Sequence, residues 1–156
     1  MMKYINCLIP AICIGFQCLQ AVEPLNERQR FQEFARQLEN VKLTGHFTII
    51  GKDQPPRKES YEILNVQKLG EGDLWLFTTL IRKGGESVTL PIPLPVKWVG
   101  NKPVIHMDNL TIPTMGTFSA FVIFDDDRYA GTWAHGKTTG HLYGTIAKRK
   151  EPPPGK

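Results

Sequence analysis

From residue 41 to residue 148 apolar and polar side chains alternate with a period of two, broken at short intervals by glycine, proline, asparagine or aspartate. Such alternation predicts half-buried strands separated by turns. We place eight of them, at 41–50 ("VKLTGHFTII"), 59–68 ("ESYEILNVQK"), 73–82 ("DLWLFTTLIR"), 87–99, 103–112, 117–125 ("TFSAFVIFD"), 128–135 ("RYAGTWAH") and 141–148 ("HLYGTIAK"). The connections "LGEG", "KGGE", "VGNK" and "PTMG" are too short for crossovers, so successive strands are expected to be antiparallel neighbours. Eight in succession predict a mostly β fold: an antiparallel up-and-down meander forming a closed or partly open barrel. The longer loop is "KDQPPRKE", after the first strand.

The stretch "VTLPIPLPVKW" sharpens this picture, because it places Val88, Leu90, Ile92, Leu94, Val96 and Trp98 on one face and removes three backbone donors at Pro91, Pro93 and Pro95. Alternate residues of an antiparallel strand address the same neighbour, so all three donors are lost toward one side. The strand is therefore expected to turn a corner. Its start pairs with the preceding strand, its end with the following one, and the prolines cover the gap, where missing donors also guard a free edge. A polyproline ligand is the competing reading, and it lacks P-x-x-P spacing.

Ahead of the strands the period is 3.6. "PLNERQRFQEFARQLENV" sets Phe31, Phe34, Ala35, Leu38 and Val41 on one face, with Asn26 as N-cap and Gln29 three residues on. This predicts one N-terminal amphipathic helix whose narrow apolar face packs on the end or side of a sheet, with membrane-surface or partner binding as the alternative. The third strand has apolar residues on both faces, Leu74, Leu76 and Leu80 against Trp75, Phe77 and Ile81. It is expected to be covered on one side by the barrel interior and on the other by this helix.

Residues 1–21 change the compartment rather than the fold. One lysine is followed by "CLIPAICIGF", an apolar run shorter than the roughly twenty residues of a membrane-spanning helix, ending near the small residue Ala21. We read a secretory signal peptide and a periplasmic or secreted protein, with a single domain over 22–148 and a disordered basic, proline-rich tail over 149–156. Cys7, Cys13 and Cys18 all fall in the leader, so the mature chain is expected to be free of disulfides and thiol nucleophiles. The net charge of +4 is concentrated in "KRKEPPPGK" and in Lys3. Nucleic acid is therefore not expected as a partner, and membrane contact is not expected once the leader is removed.

Candidate chemistry is sparse. His135 and His141 flank "GKTTG" and would face each other if that loop closes a hairpin, the same register pairing Trp133 with Tyr143. Two imidazoles need a third ligand to hold a metal, and His46 and His106 lie on distant strands, so neither metal nor cofactor is expected. A cross-strand polar and aromatic pair is the reading preferred, with a pH-sensitive pair as the alternative. "DDD" at Asp125–Asp127 reads as a solvated turn beside Arg128 rather than a calcium loop. Ser60, Ser87 and Ser119 lack a nucleophile elbow. Trp75, Trp98 and Trp133 with Phe47, Phe77 and Phe118 either fill the barrel or line a cavity for an apolar or aromatic ligand.

"LPIPLPVKWVG", "TIPTMGTFSAFVIF" and "RYAGTWAHGKTTGHLYGTI" resemble a family of small secreted proteins of planctomycete-type bacteria to which no activity is attached. That resemblance implies an exported single-domain protein and supplies no catalytic residues. More loosely, the strands at Gly45 and Gly131–Trp133 and the Gly140–Gly144 hairpin are similar to lipocalin- and avidin-like meander barrels, although Gly45-His46-Phe47 departs from the lipocalin G-x-W. The expectation is a non-catalytic binding domain for a small apolar or aromatic ligand, with Trp75, Trp98, Trp133, His135, His141 and Tyr143 as candidate contacts. The alternatives are a protein-interaction or inhibitor module using a strand edge or hairpin loops, and a barrel enzyme with His and Asp or Glu as acid and base. Oligomeric state is open.

Overall fold

The structure is a computed structural model that describes residues 26–83, 86–112 and 116–150. The leader read over 1–21 and the tail residues 151–156 lie outside the described residues. One helix, α1 (Glu27–Gln37), precedes eight strands: β1 (Val41–Phe47), β2 (Arg57–Lys68), β3 (Leu74–Lys83), β4 (Glu86–Val99), β5 (Lys102–Ile112), β6 (Gly116–Asp125), β7 (Arg128–His135) and β8 (Thr138–Lys148). Each strand pairs antiparallel with the next, and β8 pairs back on β1, closing the barrel. Closure satisfies both edges of the meander, which an open sheet would leave exposed. Among the described residues no helix is long and apolar enough to cross a membrane.

β4 turns the corner that its prolines imply. Glu86–Pro95 pair with β3, whereas only Val96–Val99 pair with β5, against Lys102–Ile105. The Val96 amide donates to the Asp73 carbonyl at 2.8 Å, so the even-numbered residues of β4 address β3 and Pro91, Pro93 and Pro95 present their donor-free side toward β5. The β5 strand meanwhile bulges between Met107 and Leu110, with Asn109 at φ +49° donating its amide to Ser119 Oγ at 2.9 Å. The prolines thus occupy the stretch that has one partner strand, where a donor would have found none.

Helix α1 begins in a reciprocal cap, Gln29 N donating to Asn26 Oδ1 at 2.9 Å and Asn26 N to Gln29 Oε1 at 3.1 Å. It does not cover the outer face of β3. It plugs one end of the barrel, the end where β1, β5 and β7 begin, and presents Phe31, Phe34 and Leu38 inward. Phe34 stands edge-on to Trp75 at 5.0 Å and contacts Trp98, Phe77 and Phe124, while Phe31 stacks on Trp98 at 5.8 Å. An apolar stripe one helix wide matches the end of a barrel better than the flank of a strand. The outer face of β3 is left in solvent, with Leu74 42% exposed, and so is that of β6, with Phe121 47% exposed. Lys148 Nζ donates to the carbonyls of Arg36 (3.2 Å) and Glu39 (2.7 Å), placing a cation at the negative end of the helix.

The folded domain reaches one residue past the boundary read at 148. Arg149 donates from Nε to Glu62 Oε2 at 2.9 Å, from Nη1 to Asn40 Oδ1 at 3.0 Å and from its backbone amide to the Asn40 carbonyl at 2.9 Å. Its side chain is 17% exposed and that of Glu62 13%. A basic residue beside prolines looks solvated in sequence, but here a carboxylate from β2 takes it in.

Candidate functional site

Above the plug the barrel is hollow. The lumen has a volume of about 740 Å³ and a wall drawn from all eight strands, dominated by Leu43, Phe47, Ile63, Phe77, Ile81, Ile92, Leu94, Ile105, Met107, Ile112, Phe118, Val122, Phe124, Trp133 and Leu142. Phe77 and Phe124 form its floor, backed by Phe34 of the helix. Its far end is the mouth, where β1 ends at Phe47, β2 begins at Arg57 and β7 turns into β8. Strands at this number leave just enough room for either a filled core or one small molecule, and the side chains here stop short of filling it. Tyr61 points inward yet is 48% exposed, because its surface faces this space.

One polar cluster interrupts the apolar wall. Glu59 accepts a hydrogen bond from Tyr129 Oη at 2.8 Å on Oε1 and another from Tyr61 Oη at 2.9 Å on Oε2. Tyr61 is two residues from Glu59 on β2, so strand alternation alone sets them side by side. Tyr129 comes from β7, and the register explains how it reaches across: Glu59 pairs with Gly45, Gly45 with Gly144, and Gly144 with Tyr129. Two glycines in that row leave a track for the phenol ring. A Cβ on Gly45 would lie 2.5 Å from Tyr129 Oη, and one on Gly144 2.7 Å from Tyr129 Cε1. Loss of hydration, reinforced by the adjoining Glu59, pushes both phenols well above the usual tyrosine range, so both stay protonated as donors.

Of the six side chains singled out from sequence, Trp133 alone belongs to the lumen wall. It stands edge-on to Phe47 at 5.7 Å, and its Nε1 is buried without a partner close to Gly140. Trp75 and Trp98 hold the helix plug. The hairpin register expected for the histidines is corrected: His135 pairs with Thr138, His141 with Thr132, Trp133 with Gly140 and Tyr143 with Ala130. The turn is the two residues Gly136–Lys137, with Gly136 at φ +60° in the position where a type II′ turn needs it, and so β8 starts three residues earlier than read. His135 consequently stacks on Phe118 at 4.5 Å near the mouth, whereas His141 and Tyr143 have the opposite strand parity and face outward, His141 Nδ1 lying 3.3 Å from Thr48 Oγ1 and Tyr143 being 46% exposed. Among the described residues no group of three or more His, Cys, Asp or Glu could hold a metal ion.

The aspartate run closes a turn. Asp125 sits 2.5 Å from Lys102 Nζ and 3.0 Å from Arg128 Nη2, and Asp126 occupies the turn at φ +53°. The Lys102 ammonium holds the Asp125 carboxyl below its ordinary range. Glu59, Tyr61 and Tyr129 were the residues a sequence reading passes over. Their signal was a carboxylate at an inward position of "ESYE", visible once Ile63 fixes which parity of β2 faces the core. Compared with known proteins, the chain matches no family model, no curated sequence and no solved structure.

Proposed function

We propose that this protein is an exported, non-catalytic binding domain that takes one small, mainly apolar molecule into the barrel lumen. The observation that carries the reading is the unfilled volume of about 740 Å³, within the usual size of small-molecule sites, behind a wall of aliphatic and aromatic side chains. A floor plugged by the helix suits a container better than a passage. The donor-free stretch of β4 also offers little to a partner that would add a strand there, which disfavours an edge-binding module.

The test is a titration of the purified protein with N-phenyl-1-naphthylamine, a neutral fluorophore that brightens in apolar surroundings. Saturable one-to-one binding, displaced by dodecan-1-ol and abolished by Ala120→Phe in a variant that keeps the wild-type circular dichroism, is the expected result. Ala120 faces the lumen, so a phenyl ring there occupies the space directly. Absence of saturable binding to the folded wild type would overturn the reading.

A further inference from the structure

We propose that the lumen selects apolar molecules that carry a protonated amine, and that Glu59 with the oxygens of Tyr61 and Tyr129 receives the ammonium group. This rests on the lumen-binding reading above and names the chemistry of its ligand.

An ionised carboxylate offers about four acceptor positions, and two phenols occupy one on each oxygen of Glu59. Both phenolic hydrogens are thereby committed, so what the cluster still offers is acceptors alone: the remaining lone pairs of Glu59 and those of the two hydroxyl oxygens. Of the other donors on the inward face of the wall, Thr79 Oγ1 donates to the Leu90 carbonyl at 3.0 Å and Trp133 Nε1 is fully buried, whereas Lys42, Ser60 and Ser119 stand at outward positions of their strands. A ligand carboxylate would meet like charge and no free donor beside this cluster.

No cation among the described residues pairs with Glu59 either. Arg57, two residues away on the same face, is exposed at the mouth and gives its Nη2 to Gln54 Oε1 at 3.1 Å. Lys42 and Lys58 lie on the outward parity of β1 and β2, and Glu62, also outward, is bound to Arg149. The lumen is therefore a mainly apolar, aromatic chamber in which no cation among the described residues pairs with the Glu59 carboxylate. A half-buried carboxylate in apolar surroundings gains from a paired, hydrogen-bonding cation, and an ammonium on an apolar body supplies both the pair and the donors. Rings of Tyr61 and Tyr129 beside the carboxylate add faces that attract a cation.

The experiment compares dodecan-1-amine, dodecan-1-ol and dodecanoic acid as competitors of the bound naphthylamine, at neutral pH and below their aggregation concentrations. The amine is expected to bind at least about tenfold more tightly than the alcohol, the size of a charge-assisted hydrogen bond, and the acid more weakly than the alcohol. Glu59→Gln should bring amine and alcohol to within about twofold and strengthen the acid. Equal binding of amine and alcohol to the wild type, or a preference for the acid, overturns the selectivity while leaving the lumen reading in place. Failure of all three to compete, with no naphthylamine bound, overturns the lumen reading itself. Should Glu59→Gln fail to fold, the ranking of the three competitors on the wild type still decides the matter.

Discussion

Tyr129 reaches Glu59 across the two intervening strands β8 and β1, its hydroxyl 2.8 Å from Oε1, along a track that Gly45 and Gly144 keep free of side chains. The residues are seventy positions apart in the chain, and the bond exists because the barrel closes β8 onto β1. It ties β2 to β7 inside the lumen and leaves a charged acceptor in an apolar chamber. Tyr129→Phe deletes a hydrogen bond to a charged group and should cost about 1–3 kcal/mol of stability in urea unfolding. Gly144→Ala should cost at least a similar amount, roughly 1–3 kcal/mol, because its Cβ would overpack against the Thr44 carbonyl and Gly45 Cα of β1 as well as the Tyr129 ring.

The two phenols of the cluster predict an alkaline limit. Both are raised in the folded chain, mainly by burial and then by Glu59. Below roughly pH 10, the ordinary tyrosine value, they are protonated in folded and unfolded chains alike and their contribution is fully present. Above it the unfolded chain ionises first, so stability falls as pH rises. Phenolate absorbance from these residues, isolated by difference against Tyr61→Phe and Tyr129→Phe, should appear only with the loss of near-ultraviolet circular dichroism. Its appearance in the intact fold near pH 10 would contradict the hydrogen-bonded cluster.

Phe34 is the centre of the plug and Phe121 lies on the outer wall. Phe34→Ala should cost about 3–5 kcal/mol, since it empties a site enclosed by Trp75, Trp98, Phe77 and Phe124. Phe121→Ala should change stability by only about 0.5 kcal/mol, the scale of surface substitutions. Equal costs would place the helix on the flank of the barrel instead of its end.

Among the described residues Arg149 is the last that the barrel engages. A chain ending at Lys150 should be as stable as the full chain, whereas one ending at Lys148 should lose about 1–3 kcal/mol by leaving Glu62 and Asn40 without their partner at 149. Thermal unfolding of the two truncations gives the comparison directly.

The three prolines of β4 give a prediction about association rather than stability. Replacing Pro91, Pro93 and Pro95 together by alanine restores three amide donors on the side that β5 does not reach. Fold stability should change little, and light scattering against concentration should show more self-association than the wild type.

The architecture was legible because it depends on local periodicity. Alternation from Val41 onward specifies strands, short turns force antiparallel neighbours, the Asn26–Gln29 pair starts the helix, and Pro91, Pro93 and Pro95 state which side of β4 is without a partner. Each of these is written within a dozen consecutive residues. The hairpin at Gly136 was misread because "GKTTG" offers two glycines as the turn, and only the pairing of Thr139 and Gly140 with β7 decides that the strand resumes at Thr138.

The site was less legible, because it depends on which distant residues share a row. Alternation by itself puts Glu59 and Tyr61 on one face of β2, and composition supplies the aromatic wall. What the sequence determined is thus the material of the barrel and the order of its strands. Only closure of β8 on β1 decided that Tyr129 meets Glu59 over two glycines, that His141 and Tyr143 turn away from the lumen, and that the helix seals an end instead of a face. Strand register and barrel closure are set by the sum of many cross-strand contacts, so the place of any one side chain in the lumen is a property of the whole ring.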